Sequence, residues 1–155
     1  MNRVRLFVCG TPLRGDDGAG IAAVEALPEP AGSITDLRVV DQLEADLLVE
    51  PGMGPCVVVD TVVGIAAGAM VALPLADLAG VGIGAVPHSS HSLGIGRTVR
   101  LAQAVLGKPL AGRFVGIGGV DFRPGAPLSA AVHDALPALR GAVAAAVAEL
   151  AALDG

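Results

Sequence analysis

The chain has 155 residues, 53% hydrophobic, 16% charged and 2% aromatic, with 10 basic against 15 acidic side chains and a net charge of −5. This composition excludes a disordered chain, and a single domain over residues 1–155 is the expectation at such a length. The negative balance and the absence of Trp and Tyr argue against nucleic acid, both as duplex phosphate and as stacked single strands.

Val4–Cys9 is an apolar run that reads as the first strand. It ends at Gly10, too soon for the apolar segment of an export signal. A helix is predicted from Gly18 to Leu27, where Ile21, Val24 and Leu27 share a face and Pro28 stops the pattern. Leu37–Val40 reads as a second strand running into Asp41, and Leu43–Val49 as a short helix. Cys56–Asp60 is a third strand, apolar enough to be buried on both faces as in a parallel sheet. The uncharged stretch after Asp60 holds Gly64, Gly68 and Pro74 and falls short of the ~20 apolar residues of a spanning helix.

Met70–Leu75 reads as a further extended piece. From Gly94 to Leu106 a helix is predicted, with Ile95, Val99, Ala102 and Leu106 inward and Arg97 and Arg100 outward. Arg113–Ile117 reads as the last strand. Ser129 has the chemistry of a helix N-cap. Because Pro137 is disfavoured inside a helix, a short turn is expected first, with Pro137 opening the main C-terminal helix. This alternation predicts an α/β three-layer sandwich, a mostly parallel twisted sheet with helices on both faces.

In open α/β sheets, ligands sit beyond the carboxyl ends of the strands. Asp16 and Asp17 follow the first strand, Asp41 the second, and Asp60 ends the third. A glycine-rich turn between strand and helix ordinarily cradles phosphate. Here it carries two adjacent carboxylates, which repel phosphate and attract a cation. His88 and His91 stand in the long segment before the predicted helix at Gly94. Carboxylates and histidine at one sheet edge make a divalent-metal site.

The bland readings stand beside these. Asp16 reads equally as a helix cap, and since two successive aspartates cannot both cap, Asp17 is the one expected to point elsewhere. Asp60 could hydrogen-bond the next loop, and His91 could cap a helix. His88 reads as exposed loop, His133 as a surface residue, and Glu25, Glu44 and Asp46 as solvated helix charges. Cys9 and Cys56 lack metal or disulfide spacing and read as core thiols of a cytoplasmic protein. GxSxG, GxxxxGK[ST] and HExxH are all absent. The aspartate pair also counts against a small nucleotide-binding domain.

The segment from Cys9 to Gly20, Cys-Gly-Thr-Pro-Leu-Arg-Gly-Asp-Asp-Gly-Ala-Gly, resembles the N-terminal signature of the hydrogenase maturation endopeptidases, which trim the large subunit of nickel–iron hydrogenases. Val57-Val-Val-Asp-Thr-Val62, Ser89-Ser-His-Ser-Leu93, Phe114-Val-Gly-Ile-Gly-Gly119 and Pro127-Leu-Ser129 follow in the family's order. The resemblance implies a five-stranded α/β sandwich acting as a monomer. It also implies removal of a C-terminal peptide from a nickel-loaded large-subunit precursor, with no nucleic acid or membrane partner. Carried over by position, the metal ligands are Asp17, Asp60 and His91, and Asp41 falls at a further acidic family position. Nickel would come with the substrate, and a mixed oxygen and nitrogen site is compatible with other first-row metals. A non-catalytic chaperone that holds the maturing subunit through the same ligands is the alternative. Two departures stand out: Val8-Cys9-Gly10-Thr11 where the family often has Gly-x-Gly-Asn, and Gln42-Leu43-Glu44 where many members turn with Gly-Gly-Thr.

Overall fold

The computed structural model describes residues 3–27, 34–52, 54–80 and 90–153. Five strands form one sheet in the order β2-β1-β3-β5-β4: β1 Val4–Cys9, β2 Ile34–Val40, β3 Cys56–Val62, β4 Met70–Pro74 and β5 Gly112–Gly118. β1 pairs in parallel with β2 and β3, and β3 with β5; β4 alone runs antiparallel, along β5. Helices α1 (Ala19–Glu25) and α5 (Ala130–Ala152) cover one face. Helices α2 (Ala45–Leu48), α3 (Asp77–Gly80) and α4 (Ser90–Leu106) cover the other. The three-layer α/β sandwich with a mostly parallel sheet is therefore as expected.

The two cores follow from strand alternation. Val4, Leu6, Val8, Val57 and Val59 face α1 and α5, while Phe7, Cys9, Cys56, Val58 and Val62 face α4. Period two puts Asp60 on the α4 side, between Val58 and Val62. Asp60 is thus the one charged residue in a strand that is buried throughout.

Three boundaries differ from the sequence reading by three residues or more. β2 starts at Ile34, ahead of Leu37, because its charges are satisfied within the sheet. Arg38 Nε bonds Asp36 Oδ2 at 2.9 Å, and the buried Arg5 of β1 lies 3.1 Å from Glu50. Helix α4 starts at Ser90 rather than Gly94, so His91 belongs to its first turn and not to a preceding loop. Gly96 falls inside the predicted helix, and a Cβ there would meet the Leu78 carbonyl at 3.0 Å, so the glycine permits close packing of α4 on α3. The third difference is α5, which runs unbroken through Pro137 instead of starting there. Pro137 is on the exposed side, and Val132 before it and Leu139 and Val143 after it are buried against the same sheet face. Among the described residues α5 is also the one helix long and apolar enough to cross a membrane. Its buried stripe packs in the core.

Candidate functional site

The first loop folds back over the end of β1. Gly10 has φ +128°, a conformation that L side chains rarely adopt. A Cβ at Gly10 would also collide with the Asp17 carbonyl oxygen. The Gly10 N–H donates to the Val40 carbonyl at 2.9 Å, pinning the loop to β2. The Thr11 N–H donates to Asp17 Oδ2 at 3.1 Å and holds that carboxylate over the strand end. Gly15–Gly18 then form a single 3-10 turn ahead of α1.

The two neighbouring aspartates take different roles. Asp16 is fully buried, and its carboxylate accepts from the backbone N–H groups of Val120 at 2.9 Å, Asp121 at 3.1 Å and Ser129 at 2.7 Å. The Ser129 hydroxyl adds a fourth bond at 3.0 Å. Burial pushes the Asp16 carboxyl up, but these donors outweigh it and hold the group below the ordinary carboxylate range. Asp16 therefore does not cap its own helix; its carboxylate is engaged by the chain around Val120, Asp121 and Ser129. Asp17 is buried, and the Thr11 N–H is its hydrogen-bond partner in the loop.

Asp60 is 2% exposed and lies near the C-terminal end of β3. Its Oδ1 accepts from the Thr61 N–H at 2.8 Å, while Oδ2 is buried with no partner among the described residues. Burial pushes its pKa up to about 7; the Thr61 N–H opposes that rise, and the charge of Asp17 adds to it. Asp60 lines a small cavity together with Cys9, Asp41, Gln42, Leu43, Gly94 and Ile95. Asp41 is exposed at its mouth. The wall is tied to α4 by Thr98 Oγ1, which donates to the Leu43 carbonyl at 3.3 Å.

The expected residues are thus distributed as follows. Asp17 and Asp60 are electrostatic neighbours, and Asp41 shares a cavity with Asp60. His91 lies one helical turn before Ile95, which lines that cavity, and its side chain is outside the described residues. His88 also lies outside them. Among the described residues, no three of His, Cys, Asp and Glu are grouped to hold a metal ion. A divalent cation nonetheless suits the chemistry of the donors. It would give Asp60 Oδ2 a partner and offset the repulsion between carboxylates.

Two features escaped the sequence reading. Cys9, read as plain core, lines the cavity beside Asp60. Its thiol is pushed up by burial and then by the charges of Asp60 and Asp17, against a hydrogen bond from the Leu43 N–H. The available signal was its place at the carboxyl end of β1. The second feature is the clamp on Asp16, whose partners lie more than a hundred residues away and leave no local trace.

No protein-family model matches the chain, and no curated protein matches it. Solved structures do match. The hydrogenase-maturating endopeptidase HybD from E. coli superposes with a TM-score of 0.69 at 22% identity, over 95% of this chain and 93% of that one. The NiFe hydrogenase maturation protease HybD from Thermococcus kodakarensis gives a TM-score of 0.69 at 22% identity, over 92% and 97%. The protease HycI from Thermococcus kodakarensis gives 0.66 at 18% identity, over 95% and 93%. The chain therefore shares the fold of solved hydrogenase maturation endopeptidases, the family its motifs resemble.

Proposed function

We propose that this chain is a metal-dependent endopeptidase that removes the C-terminal extension of a nickel-loaded hydrogenase large-subunit precursor. Asp60 carries the reading. It is a buried carboxylate at a central strand end, with one oxygen lacking a partner among the described residues and a cavity beside it. The fold shared with named maturation proteases and the Gly10–Gly20 loop motif support the same assignment. We place the protein in the cytoplasm as a monomer, acting on a protein substrate.

Asp17, Asp60 and His91 are the assigned ligands for the nickel that arrives with the substrate. Such an ion, when bound, polarises the scissile carbonyl and stabilises the charge that develops on it. Thr11 N–H keeps Asp17 oriented. Burial raises the Asp60 pKa to about 7, and a bound cation would favour its ionised form. The base for the attacking water is assigned to Asp17 or Asp41. Two carboxylates and one imidazole leave coordination positions for substrate donors, so the free enzyme is expected to hold metal weakly.

The test is incubation of the purified protein with a nickel-loaded large-subunit precursor, followed by mass analysis of the precursor's C-terminus. The wild-type chain should release a peptide, and an Asp60→Ala, His91→Ala double variant should not. Trimming by the double variant would remove this ligand set. A precursor bound but left at full length would favour the holding chaperone.

A further inference from the structure

The residues around the Asp60 cavity are unbalanced in charge. Cys9, Asp41 and Asp60 contribute a thiol and two carboxylates, and the remaining lining residues, Gln42, Leu43, Gly94 and Ile95, include no cation. Asp60 is nine-tenths buried or more, and its Oδ2 has no partner among the described residues. Cys9 and Asp60 lie on neighbouring parallel strands and on the same sheet face, the register running Phe7 to Val58 and Val8 to Val59 just before them. Cys9 and Asp60 thus line the same cavity, and the Leu43 N–H hydrogen-bonds the Cys9 sulfur from its wall.

We propose that Cys9 is a sulfur donor of this site and biases it toward thiophilic divalent ions. The inference rests on the metal-site part of the function proposed above. Cys9 and Asp60 supply a sulfur and an oxygen donor at one cavity, and donors from outside the chain complete the coordination. On binding, the thiol gives its proton to solvent and the sulfur lone pair forms the bond to the ion, with nothing oxidised or reduced. A thiolate added to a carboxylate selects cobalt, nickel or zinc over magnesium or calcium. Cys56 is the built-in control. It is equally buried and on the same sheet face, but it begins β3, four residues before Asp60, and lines no part of the cavity.

The test uses the full chain and cobalt(II) or nickel(II) salts alone, in excess. A sulfur-to-metal charge-transfer band should appear in the near ultraviolet and resist added magnesium. It should persist in Cys56→Val and vanish in both Cys9→Val and Cys9→Ser. Cobalt affinity should fall in the Cys9 variants by more than the roughly 10–100-fold expected for losing an outer-shell partner. A band unchanged in the Cys9 variants, or no band in the wild-type chain, overturns the proposal. The outcome is separable from the peptidase reading. Precursor trimming without the band would leave that reading standing and defeat this one, and the band without trimming would do the reverse.

Discussion

The carboxylate of Asp16 and the backbone N–H of Ser129 meet at 2.7 Å across 113 positions of sequence. The same carboxylate binds Val120 and Asp121, and its own carbonyl accepts from Thr61 Oγ1 at 2.8 Å. One buried acid therefore joins the first loop, β3, the loop after β5 and the start of α5. Its neighbour Asp17 is set where it is because Asp16 is fixed.

Asp16→Ala should cost about 3–5 kcal/mol, because three backbone N–H donors and the Ser129 hydroxyl lose a charged acceptor together. Asp16→Asn keeps one oxygen and should cost about 1–3 kcal/mol. Urea unfolding of the two variants measures both. Losses below about 0.5 kcal/mol would mean the donors find water instead, and the clamp would not be what orders the loop.

Asp60 gives a pH signature of opposite sign to an acid such as Asp16 that hydrogen bonds hold ionised. Its folded pKa is raised from 3.8 to about 7, so between those values the folded chain holds a proton that the unfolded chain has lost. Stability should fall as pH rises through this window and level off above it. Asp60→Asn abolishes the slope and should be more stable than wild type by about 2–4 kcal/mol near pH 8, with little difference near pH 4. Asp16 acts in a separate range: its pKa is lowered, so its contribution is present above the ordinary carboxylate range and is lost as pH falls through the folded value. Parallel pH profiles for wild type and Asp60→Asn would show that Asp60 is solvated in the folded chain.

Gly10→Ala should unfold the site before it unfolds the protein. The φ of +128° is strained for alanine, and the new methyl collides with the Asp17 carbonyl. A loss of about 3 kcal/mol or more is expected. The Thr11 amide should lose the chemical shift of a charge-assisted bond, since Asp17 must move. An unchanged Thr11 resonance would show that the loop does not depend on Gly10.

Most of the sheet was legible because β1 and β3 are buried on both faces and so read as largely apolar runs. The position of Asp60 was legible for the same reason, as the acid that interrupts such a run. What was not legible depends on distant partners. The charges of β2 read as a strand limit until Arg5, a residue of another strand, is seen pairing with Asp36 and Glu50. The reason for a glycine at position 96 of α4 is not visible until α3 is seen lying against it. Asp16 and Asp17 could not be told apart locally, since what separates them is the chain around Val120 and Ser129. Cys9 is core by burial and site by position, and only the cavity distinguishes the two.

Pro137 shows how tertiary packing overrides a local rule. It lies inside α5, a helix of 23 residues, and it cannot donate to the carbonyl of His133, one turn earlier. The helix persists because the buried residues on either side, Val132 before and Leu139 and Val143 after, are held on one core surface. Pro137 is itself exposed, so replacing it removes no core contact. Pro137→Ala restores the missing bond against a helix-interior penalty of about 3 kcal/mol. Part of that gain is offset by about 0.4–1 kcal/mol, because the unfolded chain becomes freer. The expected net result is a stabilisation of about 2–3 kcal/mol, read as a higher urea midpoint at unchanged slope. A lower midpoint would mean that the ring shapes the path of α5 over the sheet, and that the helix was built around its bend rather than in spite of it.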